Sequence, residues 1–142
     1  VSVAYFDSSA LVKLVIDEPG SEDVAMLWDG ADAVTTSRVA HPEVRAALAA
    51  AHRDGRLDEE GHLAAKASWQ AFHQGLRLVE LTPQLEADAG DLAERHALSG
   101  SAAIHLASAL TLSELPLIMA TWDIRLLHAT QSAGLTSLPA EP

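Results

Sequence analysis

The chain contains no cysteine, which excludes disulfide staples, thiolate metal sites and a cysteine nucleophile, and agrees with a cytoplasmic setting. Aromatic residues make up only 4 %, so the core is expected to be aliphatic. Trp28, Trp69 and Trp122 are too scattered for a base-stacking platform and read as packing residues. Cations are also few. Nine Lys and Arg stand against 20 Asp and Glu, a formal net charge of -11, and this balance argues against broad attachment to DNA or RNA through phosphates. A nucleic-acid enzyme remains compatible with it, because carboxylates that hold divalent cations bring negative charge with them and the ions then bridge to phosphate. No apolar run reaches the length of a membrane span; the longest, around Leu115 to Trp122, suits a buried strand. The start lacks a signal-peptide pattern, since its short apolar run carries Asp7. A Gly-rich phosphate loop and a nucleophile elbow are absent as well, and none of the seven histidines pairs with another at close helical ligand spacing, which removes P-loop, serine-hydrolase and zinc readings.

What is present fits one domain. The 142 residues are 49 % apolar and 20 % charged, enough for a core without staples. The organising stretch is Val3 to Lys13: an apolar run stopped by Asp7, two serines, then Ala10, Leu11, Leu14 and Val15 at helical spacing, which predicts strand, acidic turn and helix. After the Asp17-Glu18-Pro19-Gly20 turn, Ser21 is expected to cap a short helix to Trp28, and Ala33 to Thr36 is a β-prone run. A long helix is expected to begin near Ser37 or Ala40 and to end near Asp54-Gly55, and Asp58 to cap another that Gly75 ends. Leu76 to Leu81 reads as a third strand. Thr82-Pro83 starts a helix to His96, Ser101 restarts the pattern after Gly100 to about Leu112, and Leu117 to Ala120 reads as a fully apolar central strand. Asp123, a helix from Ile124 to Ala133 and a weak strand at Thr136 to Leu138 follow. Strands alternating with helices, with no tight hairpin, predict an α/β fold: a three-layer domain with a mostly parallel sheet of about five strands and helices on both faces.

Two strands end in aspartate, Asp7 after the first and Asp123 after the fourth. If those strands are neighbours, spacing of about 4.8 Å brings the carboxylates to one edge, where two like charges call for a cation. Each aspartate is equally suited to capping its own helix. Glu43, in the first turns of its helix beside Pro42, reads as solvated from spacing alone. Ser8 reads as a helix cap, Thr121 as a hydroxyl able to bond a ligand or a water, and His105 as packed or hydrogen-bonded; His41 and His73 fall at helix ends or polar faces.

Four ordered segments then resemble PIN-domain proteins of the VapC toxin type: Tyr5 to Leu14 continued by Asp17-Glu18-Pro19-Gly20, Pro42 to Leu48, Leu98 to Ala109, and Ala120 to Leu126. Together they span essentially the whole chain in the family's order. The resemblance implies a Mg²⁺- or Mn²⁺-dependent ribonuclease of a toxin–antitoxin pair, held inactive by a cognate antitoxin protein, often a homodimer, acting on RNA and not at a membrane. It implies that Asp7, Glu43 and Asp123 form one metal-binding acidic cluster, with Thr121 and Ser8 in support. One position departs from the pattern: three residues before His105 the family usually has aspartate, and here stands Ala102. Loss of one carboxylate weakens the hold on a hard cation, so poor cleavage is expected. Either the protein is a degenerate member or the aspartate was replaced to silence a toxic product; the intact neighbours favour the second. A PIN-fold binding module that engages its antitoxin and its own copy without chemistry is the rival reading. A receiver-like signalling domain is disfavoured, because Leu81-Thr82-Pro83 offers no phosphorylatable aspartate.

Overall fold

A computed structural model describes residues 2–142. The elements run β1 (Val3–Phe6), α1 (Ser8–Val12), α2 (Ser21–Gly30), β2 (Ala33–Ser37), α3 (Ala40–Arg53), α4 (Glu59–Gly75), β3 (Arg77–Val79), α5 (Pro83–His96), α6 (Gly100–Leu110), β4 (Leu117–Ala120), α7 (Ile124–Ser132) and β5 (Thr136–Leu138). The sheet has five strands in the order β3-β2-β1-β4-β5, and every pairing is parallel. From β1 the chain first winds outward through β2 and β3, then returns to the other flank of β1 for β4 and β5. The order therefore reverses between β1 and β4, and the crevice outside their carboxyl ends is where such sheets bind ligands.

Alternation along β1 divides the interior in two. Val3 and Tyr5 face one apolar layer with Leu85, Leu92, Leu106, Met119 and Leu126, contributed by β4 and by α5, α6 and α7. Ala4 and Phe6 face the other, with Leu11, Val24, Val44, Leu48 and Trp69 from α1 to α4. Helices on both faces explain why β1 and β4 are almost wholly apolar. Thr35 and Thr36 of β2 are buried, but their hydroxyls donate to the Ala4 and Phe6 carbonyls at 3.0 and 2.6 Å, and among the described residues no buried side-chain polar atom lacks a partner.

Several element ends differ from expectation, each for a local reason. The first helix stops at Val12, because the amides of Lys13, Leu14 and Val15 turn to carbonyls three residues back and tighten the chain. Ser37 does not open α3; it stays in β2, and its hydroxyl accepts from the Val39 amide. Ser21 does not cap α2, whose N-cap is Gly20 in the left-handed region; the Ser21 hydroxyl instead spans the Glu18 amide and the Ile16 carbonyl. Ser99 rather than Ser101 caps α6. β3 is short because its pairing with β2 ends at Val79, after which Glu80 turns to meet Arg38.

Candidate active site at the carboxyl edge

Asp7 leaves β1 where that strand pairs with β4, and its amide donates to the Ala120 carbonyl at 3.1 Å. Its side chain is 3 % exposed. One carboxylate oxygen accepts from the Ser9 hydroxyl at 2.6 Å and the Ala10 amide at 2.9 Å; the other accepts from the Thr121 hydroxyl at 2.5 Å. Thr121 in turn accepts from the Asp123 amide at 3.1 Å, and Ser9 accepts from the Trp122 amide at 2.9 Å. One hydroxyl thus ties the two strand-end acids together. Asp7 caps α1, and Asp123, exposed, caps α7 through the amides of Arg125 and Leu126 at 3.0 and 3.2 Å. Capping is thus true of both residues, and the Thr121 link runs from the Asp7 carboxylate to the Asp123 backbone amide. Ser8, expected to cap, is instead the first helical residue, because the Asp7 carboxylate already occupies that role.

Glu43 corrects the expectation from spacing. It is half-buried rather than solvated, because His105 from α6 reaches across the edge and bonds its Oε1 through Nε2 at 2.7 Å. The other ring nitrogen of His105 meets the Tyr5 hydroxyl at 2.8 Å. His105 is thus held at both ring nitrogens. Burial drives the Tyr5 pKa far above its usual value, so the phenol keeps its proton. Burial also pushes the Glu43 carboxyl up, but the His105 bond and charge, with the hydroxyls of Ser101 and Ser8, outweigh it and hold the group below the usual range. For Asp7 burial wins. Its pKa is raised despite the His105 charge and the bonds from Ser9, Thr121 and the Ala10 amide. Ser9, Ser101 and Tyr5 are not singled out by the sequence as residues of the site, nor is the bridging role of His105. Only Ser9, two residues past an acid that starts a helix, carried a local signal.

Ala102 is 5 % exposed and lies one turn before His105 on α6, on the same face. Its methyl group packs in the apolar layer. Among the described residues no three Asp, Glu or His side chains converge as a metal-holding set. The reasons are local: Glu43 is drawn to His105, one Asp123 oxygen faces its helix N-terminus, and position 102 offers no donor. The chemistry of what remains still fits a hard divalent cation. Carboxylate oxygens are the preferred donors, Mg²⁺ is commonly held by one or two of them with water completing its shell, and the buried Asp7 charge is one that a cation offsets.

Trp122, between Thr121 and Asp123, is seated on backbone. Lys13 lies over its ring at 4.9 Å from the centroid while bonding Glu18 and the Pro19 carbonyl at 3.0 and 2.8 Å. A Cβ built on Gly20, where φ is 95°, would stand 2.7 Å from a Trp122 ring carbon.

A parallel sheet whose two neighbouring central strands each end in an aspartate defines the class. The PIN domain family model matches residues 4–127, and the chain belongs to the PIN-domain family. Within that family it is of the VapC type: it is 48 % identical over 139 residues to Ribonuclease VapC45 of Mycobacterium tuberculosis strain CDC 1551 / Oshkosh, and equally to Ribonuclease VapC49 of strain ATCC 25618 / H37Rv, covering 98 % of this chain and 96 % of each relative. The fold is shared with PAE2754 from Pyrobaculum aerophilum, at TM-score 0.69 and 20 % identity over 97 % of this chain and 85 % of that one. It is shared too with Mycobacterium tuberculosis VapC20, a sarcin-ricin loop cleaving toxin, at TM-score 0.65 and 20 % identity over 94 % and 96 %. A toxin-antitoxin complex from Klebsiella pneumoniae matches at TM-score 0.57 and 19 % identity over 81 % and 83 %.

Proposed function

We propose that this chain is the ribonuclease toxin of a toxin–antitoxin pair, that it hydrolyses RNA phosphodiesters at the β1/β4 crevice with Mg²⁺ or Mn²⁺, and that Ala102 impairs it. The observation that carries this reading is the near full-length identity of 48 % to two proteins named as ribonucleases. The geometry supports it by joining Asp7 to Asp123 through Thr121 and holding Glu43 on the same edge. Asp7 and Asp123 are the ligands. Glu43 ligates or orients the attacking water, with its carboxylate fixed by His105 and kept ionised near neutral pH. Thr121 holds Asp7 in place, and Ser8 supports Glu43. When bound, the cation supplies a water of lowered pKa and stabilises charge on the attacked phosphate. The chain's acidity suits a cognate antitoxin that offers a basic side chain to the site, and the working unit in the cytoplasm is a homodimer or a toxin–antitoxin complex.

The test compares this chain with Ala102→Asp on a structured RNA in Mg²⁺, in Mn²⁺ and in EDTA. Cleavage is expected to be weak in the parent, restored in the variant and abolished by EDTA; equal activity in the two proteins counts against the assignment of position 102. A second reading has its own support: the apolar residue at 102 and the absence of a converged three-residue ligand set among the described residues favour a binding module without chemistry. An Ala102→Asp protein that binds an antitoxin but leaves RNA intact in both metals selects that reading.

A further inference from the structure

A cavity of about 620 Å³ opens on the same carboxyl edge, lined by Arg38, His41, Pro42, His73, Glu80 and Leu81. Arg38 and Glu80 prolong β2 and β3 and Pro42 lies in the first turn of α3, so the cavity sits at the β2–β3 side of the carboxyl edge whose β1–β4 side carries Asp7 and Asp123. Its back wall is built. Trp69, 1 % exposed, donates its indole N–H to His41 Nδ1 at 3.0 Å, with the two rings stacked at 21°. An indole nitrogen can only donate, so His41 Nδ1 is unprotonated and its proton sits on the other nitrogen, a donor of fixed identity. His73 packs 4.8 Å from His41 and 5.3 Å from Trp69, ring centre to ring centre. Burial first of all holds its pKa below the usual histidine value. The Arg38 charge is matched by Glu80, which accepts from Nε at 2.8 Å and from Nη2.

A wall of imidazole rings, a proline and a leucine that is 46 % exposed, with the one guanidinium already matched by a carboxylate, offers little to a phosphate. It suits a flat heterocycle with polar edges, stacked on the rings and met at the rim by the donors of Arg38 and the acceptors of Glu80. The geometry points to a subsite for one unpaired nucleobase of the RNA strand, flanking the scissile phosphate; the inference rests on the RNA-cleaving function proposed above. Base recognition of this kind works through stacking and edge contacts. In a chain with so few cations it supplies affinity that phosphate contacts do not.

The experiment measures equilibrium binding of a labelled, unstructured RNA oligonucleotide to the whole protein in EDTA, with a single abasic ribose walked along the strand. Removal of one particular base is expected to weaken binding roughly fivefold or more, and that loss is expected to vanish in His73→Ala and in Leu81→Ser while persisting in His73→Phe. Leu81→Ser alters an exposed side chain, which keeps the test valid if His73→Ala disturbs the fold. Absence of RNA binding, or an abasic penalty equal in parent, His73→Ala and Leu81→Ser, overturns the subsite. If Ala102→Asp cleaves RNA in Mg²⁺ or Mn²⁺ while binding ignores the base, the subsite alone fails. If it never cleaves while the base-dependent loss follows His73 and Leu81, the nuclease reading fails and the subsite stands.

Discussion

Asp7 accepts hydrogen bonds on both carboxylate oxygens, yet burial keeps its pKa above the usual carboxylate value. An acid whose folded pKa exceeds its unfolded one binds more protons when folded, so stability falls as pH rises from the unfolded pKa through the folded one and stays lowered above it. Asp7→Asn keeps a capping oxygen while removing the buried charge. It is therefore expected to melt at a higher temperature than the parent at pH 7 without added metal, and to support no cleavage in an Ala102→Asp background; thermal melts and an RNA assay check the two halves. Glu43 has the opposite sign, because its folded pKa is depressed: its contribution is present above the unfolded pKa and is lost as pH falls through the folded one. His105→Leu fills the space but leaves Tyr5 and Glu43 without their shared partner. It is expected to cost about 1–3 kcal/mol in urea unfolding and to raise the Glu43 pKa. The sequence revealed Asp7 and Asp123 because a strand end followed by a helix start is a local pattern. It concealed the setting of Glu43 because the group that turns it inward, His105, stands 62 positions away, and nothing in local spacing encodes that meeting.

At the scale of the element, α7 begins on Asp123 and α1 on Asp7, so each acid proposed as a ligand also caps a helix. The two duties of Asp123 separate by substitution. Asp123→Ala is expected to lose about 1 kcal/mol of stability through the missing cap, Asp123→Asn only a small fraction of that, and both to lose metal-dependent cleavage; denaturant melts beside the RNA assay distinguish capping from ligation. Helices with unambiguous punctuation were legible to the residue: Thr82-Pro83 opens α5, which ends at His96, and β4 and β5 fall where apolar and β-prone runs placed them. Elements with competing serines were less so. Ser21, Ser37 and Ser101 all resemble caps in isolation, and the choice fell to Gly20, Val39 and Ser99 because turn hydrogen bonds and strand pairing claimed the other hydroxyls and backbones first.

Across the whole molecule, the reversal of strand order between β1 and β4 is what brings Asp7 and Asp123, from opposite ends of the chain, to neighbouring strand ends. Parallel pairing and two covered faces followed from the alternation of strands and helices, whereas the adjacency of β1 and β4, left open by the sequence, and the cavity behind Arg38 did not; the cavity needs α4 to bring His73 and Trp69 against the start of α3. Ion binding should register on this scale as linkage between metal and folding. Ala102→Asp places a carboxylate at a 5 % exposed position, so it is expected to be less stable than the parent without metal and to gain more in melting temperature on addition of Mg²⁺ or Mn²⁺. A melting series across metal concentration checks this, and parallel responses from the two proteins would count against it.

Trp122 rests on the bare backbone of Gly20, and its own amide is held by Ser9 beside Asp7. The turn after α1 therefore acts as a stop that sets how deeply the β4–α7 corner can settle. A methyl at position 20 would act as a wedge, lifting that corner and carrying Thr121 and Asp123 out of line with Asp7. A glycine with no reactive group of its own thereby sets the tolerance to which the carboxyl edge beside Asp7 is assembled.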